Sequence, residues 1–271
     1  MRLPGSVSDG AKKNSMHSLI IAILGFMLSS GAAALDRNGC SATDSAQELI
    51  ALRNEPDAKG NPLQSIPREK AASLVRVDAF CSRSGDWLKV RGDKYDGWVS
   101  ANFVVCRIPS QEAQDIIARQ AADVIQALKT ANMQALAPSV HPVKGLRFSP
   151  YASKDSTDVV LTSPQLVGAM QNPVKRVWGA DDGSGDPIRL SFARYYHKFV
   201  YDRDFAQAQK ITYNSEDEPT NRARDQYPNA IVVDYGLPET GTAARERLRL
   251  VFEQHQSKWY LSGIIHDGWT I

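Results

Sequence analysis

The sequence contains no HExxH zinc helix, no GxSxG nucleophile elbow, no phosphate-binding P-loop and no dinucleotide fingerprint. Each of these motifs holds a metal, a nucleophile or a phosphate by spacing alone, so their absence excludes the hydrolases and nucleotide enzymes that a sequence announces by itself. No cofactor is implied. Cysteine is scarce, with three in 271 residues, and the spacing of Cys40, Cys81 and Cys106 fits neither a zinc site nor a CxxC redox pair. An excess of one charge is missing too: 32 Lys and Arg face 30 Asp and Glu. That balance supplies no phosphate-neutralising surface, which excludes nucleic acid as a partner. The strongly apolar run from Leu19 to Leu28 is short beside the roughly 20 residues of a membrane-spanning helix.

What that run does have is the setting of an export signal. Lys12 and Lys13 precede it and Ser29-Ser-Gly-Ala-Ala-Ala34 follows, the basic, apolar and small-residue parts of a secretory signal peptide. Ala32 and Ala34 suit the −3 and −1 positions of a signal peptidase site, which places the mature start at Leu35. A start at Met16 in place of Met1 would remove the two lysines. An uncleaved anchor is disfavoured by the shortness of the run. Lipid attachment at Cys40 is disfavoured by Asp36-Arg-Asn-Gly39, which lacks the apolar and small residues lipidation needs. Cleavage takes away Arg2, Lys12, Lys13 and Asp9, so 32 basic and 30 acidic side chains become 29 of each. The expectation is a periplasmic or secreted protein with no stable membrane insertion after signal cleavage.

Export puts the cysteines where disulfides persist. Three pairings are open, and Cys40 with Cys106 is favoured because the two bracket one small module. Between them, short apolar runs are broken by turn residues. Leu74 to Phe80 alternates, Ser82 to Asp86 turns, Trp87 to Arg91 alternates again, and Gly92 to Gly97 turns into Trp98-Val-Ser100. Only Ala46 to Leu52 suggests a helix. Tight hairpins with one apolar face predict a small barrel. Leu52-Arg-Asn-Glu-Pro56, Ile66-Pro67, Gly85-Asp-Trp-Leu-Lys-Val90 and Gly97-Trp-Val-Ser-Ala-Asn-Phe-Val104 resemble the bacterial SH3 domain, with Glu55-Pro56 where that family has Gly-Pro. The resemblance implies recognition of peptidoglycan or of an envelope protein. Trp87, Tyr95 and Trp98 are then the expected ligand-binding residues, forming an aromatic groove for an extended peptide; the competing reading puts at least one of the tryptophans in the core.

Beyond Cys106, apolar residues at Ala113, Ile117, Ala121, Val124, Leu128 and Ala131 predict an amphipathic helix, N-capped by Ser110 and stopped by Pro138. Leu146 to Phe148 and Asp158 to Leu161 read as strands, Pro164 to Met170 as a helical turn or two, and Ser191 to Tyr201 as an aromatic-rich helix. Four strands follow at Lys210–Tyr213, Ile231–Tyr235, Arg247–Glu253 and Trp259–Ile265, the last two forming a hairpin. This order resembles the α+β cone of nuclear transport factor 2-like domains. The segments His141–Gly145, Trp178–Gly185, Tyr195–Tyr201 and Gly263–Ile271 resemble an uncharacterised family of exported bacterial proteins, which brings no activity with it. The expected organisation is a signal peptide over 1–34, a small all-β SH3-type barrel over 40–106, and an α+β domain with a curved antiparallel sheet over 110–271.

A cone encloses a cavity, and His141, Trp178, Asp182, His266 and Trp269 are the groups expected to meet there. Two histidines and an aspartate suffice for acid–base work, so an envelope hydrolase or isomerase using His141, Asp182 and His266 is the alternative to a binding protein with Trp178 and Trp269 as ligand contacts. The structural alternative makes them hydrogen-bonded residues closing the cone. A third reading makes both domains protein-interaction units. The acidic loop Asp181–Asp186 lacks EF-hand spacing and reads as a glycine-rich turn, with no metal.

Overall fold

Period-two alternation between Cys40 and Cys106 produces short strands. The computed structural model describes residues 39–268 other than 44, 78–82, 85–86, 152–157, 218–219, 221–222, 225, 228 and 239–245. The N-terminal strands are β1 (Cys40–Ala42), β2 (Leu49–Arg53), β3 (Pro62–Pro67), β4 (Val75–Arg76), β5 (Arg83–Ser84), β6 (Trp87–Gly92), β7 (Tyr95–Ser100) and β8 (Val104–Cys106). The stretch expected as a helix near Ala46–Leu52 runs into β2. Ile50 and Leu52 point inward and Leu49 outward, and two such residues at spacing two satisfy a strand better than a helix. The sheet order is β3-β2-β7-β6-β4, with β5 also on β6.

That path is open, so the expected closed barrel is not what forms. The chain after β3 turns into a 3₁₀ helix, Arg68–Ser73, and β4 is only two residues long, so the end strands do not pair with each other. Ile50, Leu52, Ile66, Leu88, Val90 and Val99 fill the interior. β7 passes β2 so closely that a Cβ on Gly97 would lie 2.7 Å from the Arg53 carbonyl oxygen, which explains a glycine before Trp98. β1 and β8 pair separately, and the favoured disulfide, Cys40 to Cys106, joins them. Cys81 lies outside the described residues.

Helix α1 (Ser110–Lys129) buries Ala113, Ile117, Ala121, Val124 and Leu128, the stripe its spacing predicts. Ser110 is its first helical residue, not its cap; Pro109 precedes it, with no side-chain cap. The helix also stops before Pro138. Ala131 takes a left-handed φ of 50°, and Asn132 caps a separate short helix, α2 (Met133–Leu136), by accepting the Ala135 N–H. The elements that follow are β9 (Leu146–Ser149), β10 (Val159–Leu161), α3 (Ser163–Val167), β11 (Arg176–Ala180), β12 (Pro187–Leu190), α4 (Phe192–Phe199), β13 (Lys210–Tyr213), β14 (Ile231–Gly236), β15 (Arg247–His255) and β16 (Lys258–Asp267). The fold is mostly β, with helices packed on the larger sheet.

That sheet has the order β10-β9-β16-β15-β14-β13. It is not antiparallel throughout, because β9 runs parallel to β16. The His141 N–H donates to the Leu261 carbonyl at 2.9 Å, and the turn that follows launches β9 beside β16 in the same direction. The β15–β16 hairpin turns at Gln256 and Ser257, both left-handed at φ 46° and 64°, as a two-residue hairpin loop requires. Helices α1 and α4 and strand β11 cover one face, burying Phe148, Trp178, Tyr195 and Phe252. On the other face Ala223, Tyr227 and Ala230 pack on Val232, Val251 and Ile265.

Beside this second cluster the polar half of the β15 alternation is buried. Arg249 is fully buried; its Nε lies 2.8 Å from Asp234 Oδ2, too poorly aligned for a hydrogen bond, while its Nη2 donates to Asp267 at 2.6 Å. Arg247 reaches Asp217 at 3.1 Å and Asp234 at 3.4 Å. Burial raises the Asp234 carboxyl above its ordinary value, opposed by the two arginines. Burial also pushes Asp217 upward, but hydrogen bonds from Thr220 and Ser215 and the charge of Arg247 outweigh it and hold Asp217 low. Removing Arg249 takes from the buried Asp234 carboxylate its nearest cation. Arg249→Ala is expected to cost about 3–5 kcal/mol, read as a lowered urea midpoint, and a loss below about 1 kcal/mol would contradict the network.

Candidate functional site

Strands β6 and β7 pair in register, Trp87 opposite Ser100, Lys89 opposite Trp98 and Arg91 opposite Asp96. Side chains alternate across a strand, so the buried Leu88, Val90, Tyr95 and Val99 take the inner face and Trp87, Lys89, Arg91, Asp96, Trp98 and Ser100 take the outer one. Arg53 of β2 stands opposite Trp98 on that outer face. Trp87 and Trp98 are half-buried there, diagonal neighbours with Lys89 between them. Arg91 is engaged by Asp96 at 3.2 Å, and Arg53 donates to the Gly60 carbonyl. Among the described residues the Lys89 ammonium has no ion-pair or hydrogen-bond partner, and its backbone carbonyl accepts the Val77 N–H at 3.1 Å. The outer row of β2 continues through Ala51 to Leu49, which is 59% exposed and lines a groove of about 680 Å³ with Ala42, Glu48, Pro67, Arg68 and Glu69.

Tyr95 does not share this face. It is buried with the inner residues, because positions 95 and 98 have opposite parity on one strand, a difference the sequence already carried. Trp178 is no surface contact either. It is fully buried, stacked on Tyr195 at 4.1 Å between ring centroids, and its Nε1 donates to the Leu190 carbonyl at 2.8 Å. The crevice beside it, about 20 Å³, is of the size of a single water. Trp269 lies outside the described residues.

The three candidate acid–base residues are not brought together. His141 is buried and its Nδ1 accepts the Val143 and Lys144 N–H groups at 3.2 and 3.0 Å, which makes it the pin of a tight turn. That turn closes at Gly145, where φ is 70° and a Cβ would meet Val160 at 2.8 Å. His266 sits about 16 Å further along β16, opposite Leu248, with Nε2 3.3 Å from Asp202 Oδ1 and its ring edge-on to Phe199. Asp182 is exposed at the tip of the β11–β12 hairpin. Its neighbour Asp181 does the structural work, accepting the Gly183 and Ser184 N–H groups, which holds its carboxyl below the ordinary range. Asp202, the actual partner of His266, carried no sequence signal: it follows α4 in a short turn and meets β16 only in the folded chain. Among the described residues no group of three or more His, Cys, Asp or Glu is placed to hold a metal ion, and no helix is long and apolar enough to cross a membrane.

The fold and this outer face define a mostly β, disulfide-closed protein whose solvent-facing aromatic pair lies on its N-terminal sheet. Comparison with known proteins finds no matching family model, no matching curated protein and no matching solved structure.

The buried aromatic cluster makes a further property measurable. Burial raises the Tyr195 phenol well above its ordinary value of 10.0 and also raises Tyr196, Tyr227 and Tyr235; burial and the bond to Asp204 push Tyr201 up to about 12. Stability from these neutral phenols is complete below pH 10, where the unfolded chain also keeps them protonated, and is lost as pH rises beyond it. Tyrosinate absorbance is therefore expected to rise in a cooperative step that coincides with loss of circular dichroism. A smooth titration near pH 10 with the dichroism intact would show these phenols to be accessible.

Proposed function

We propose that the protein is an exported cell-envelope binding protein whose N-terminal sheet recognises peptidoglycan through its outer face. The observation that carries this reading is the placing of two half-buried tryptophans beside a lysine that pairs with no carboxylate among the described residues, on one face of a small sheet. Indole rings bury much area at little conformational cost and are over-represented among residues that dominate binding. Lys89 between them suits a carboxylate-bearing peptide, and the groove at Leu49 and Pro67 extends the same face for an extended ligand.

Three further features support it. Trp87–Val90 of β6 and Gly97–Ser100 of β7, which build this face, belong to the GDWLKV and GWVSANF elements that resemble the bacterial SH3 domain. The disulfide accords with an oxidising compartment outside the cytoplasm, where the signal-peptide reading of residues 1–34 also sends the chain. A helix-covered, six-stranded sheet behind the module accords with the nuclear transport factor 2-like likeness, as a second, ligand-binding or interaction unit. The acid–base alternative loses its basis, since His141, Asp182 and His266 occupy separate parts of the fold.

The test is retention of residues 35–271 on purified peptidoglycan sacculi. Trp87→Ala and Trp98→Ala are each expected to weaken retention about 10-fold or more, with unchanged dichroism. Failure of the wild-type chain to bind sacculi would overturn the wall reading and direct the same face to an envelope protein.

A further inference from the structure

Cys106 and Ile108 belong to different hydrophobic cores, Cys106 to that of the N-terminal sheet and Ile108 to that of the larger sheet. Both are almost fully buried, at 1% and 3% exposure, so Arg107 is the whole of the linker between the two. Its flanks are held from the C-terminal side. The Cys106 N–H donates to Asn229 Oδ1 at 3.0 Å, and Asn214 Nδ2 donates to the Ile108 carbonyl at 3.0 Å. Asn214 is itself fixed, its Oδ1 accepting the Val232 N–H at 2.8 Å. From the N-terminal side the Arg107 N–H donates to the Gly39 carbonyl at 3.3 Å, and the disulfide ties Cys106 to Cys40.

Both asparagines are buried and left-handed, at φ 46° and 66°, a conformation that asparagine tolerates better than most side chains. Ordinary interdomain linkers are exposed, polar and crossed by few contacts. This one is a single residue, bracketed on both sides, and all the described residues fall within one compact unit.

We infer that Asn214 and Asn229 form a clamp that locks the N-terminal sheet to the larger sheet, so that the two tumble as one rigid body and the Trp87–Trp98 face is presented at a fixed angle. A partner that touches both sheets then binds without an ordering cost at the linker. The clamp does not depend on what the aromatic face binds.

Backbone ¹⁵N relaxation of residues 35–271 tests this on the unaltered chain, where both sheets are expected to report one rotational correlation time. Two distinct times would overturn the clamp. The double variant Asn214→Gly/Asn229→Gly keeps the left-handed backbone accessible and removes only the side chains. In it the correlation times are expected to separate, and trypsin cleavage after Arg107, identified by mass, to accelerate about 10-fold as the two buried hydrogen bonds to the linker's flanks are lost. Relaxation and cleavage unchanged from the wild type would equally overturn the assignment.

Discussion

Two hydrophobic cores meet across one residue, and most of the architecture follows from that constraint. With Cys106 in one core and Ile108 in the other, the chain has no slack in which to swing. Strand β8 must end where helix α1 begins, and α1 must run outward from that point along the larger sheet. The disulfide is placed where this matters. It closes the N-terminal module at its last strand, next to the position at which the C-terminal residues Asn214 and Asn229 grip the backbone. The linker is thus held by short-range hydrogen bonds from both sides.

The outer face of the N-terminal sheet is a product of parity and of one close approach. Alternation on β6 and β7 sends Trp87 and Trp98 outward and Leu88, Val90 and Val99 inward. Gly97 lets β2 come within reach of β7, which brings Arg53 opposite Trp98 and joins the aromatic pair to the row ending at Leu49. Arg91 pairs with Asp96 and Arg53 donates to a backbone carbonyl, while among the described residues the Lys89 ammonium meets no carboxylate. The face combines apolar area with one cation that no carboxylate among the described residues meets, a composition unlike that of the inner face.

In the C-terminal part of the chain the polar residues have the opposite fate. His141 pins a turn, Asp181 organises a hairpin tip, and Arg249 is buried against Asp234 and Asp267. Each residue type suits catalysis or metal binding, yet each is consumed by backbone groups or by its neighbours. A buried ion set of this kind is costly to desolvate and costly to break, so it fixes which segment covers which part of the sheet.

Local periodicity was legible. The stripe Ala113, Ile117, Ala121, Val124 and Leu128 marked α1, the aromatic run after Ser191 marked α4, and the last four strands fell where alternation put them, because hydrophobic burial acts on every turn or residue pair and leaves a repeat in the sequence. The turn signals were weaker. Ala131, a left-handed alanine, ended α1 seven residues before the proline that was expected to do so, and the β11–β12 hairpin is too short and too mixed to leave a period. The alternation that located β15 did not show that Arg247 and Arg249 are buried, since a strand pattern records which faces differ and not what covers each one. By itself, then, the sequence determined the strands, the helix stripe and the outward parity of Trp87 and Trp98, all properties of residues near one another in the chain. Only the tertiary structure decided that His141, Asp182 and His266 stand apart, that Asp202 meets His266, and that β9 runs parallel to β16. Those relations depend on how segments far apart in the chain are brought together, and no local pattern encodes them.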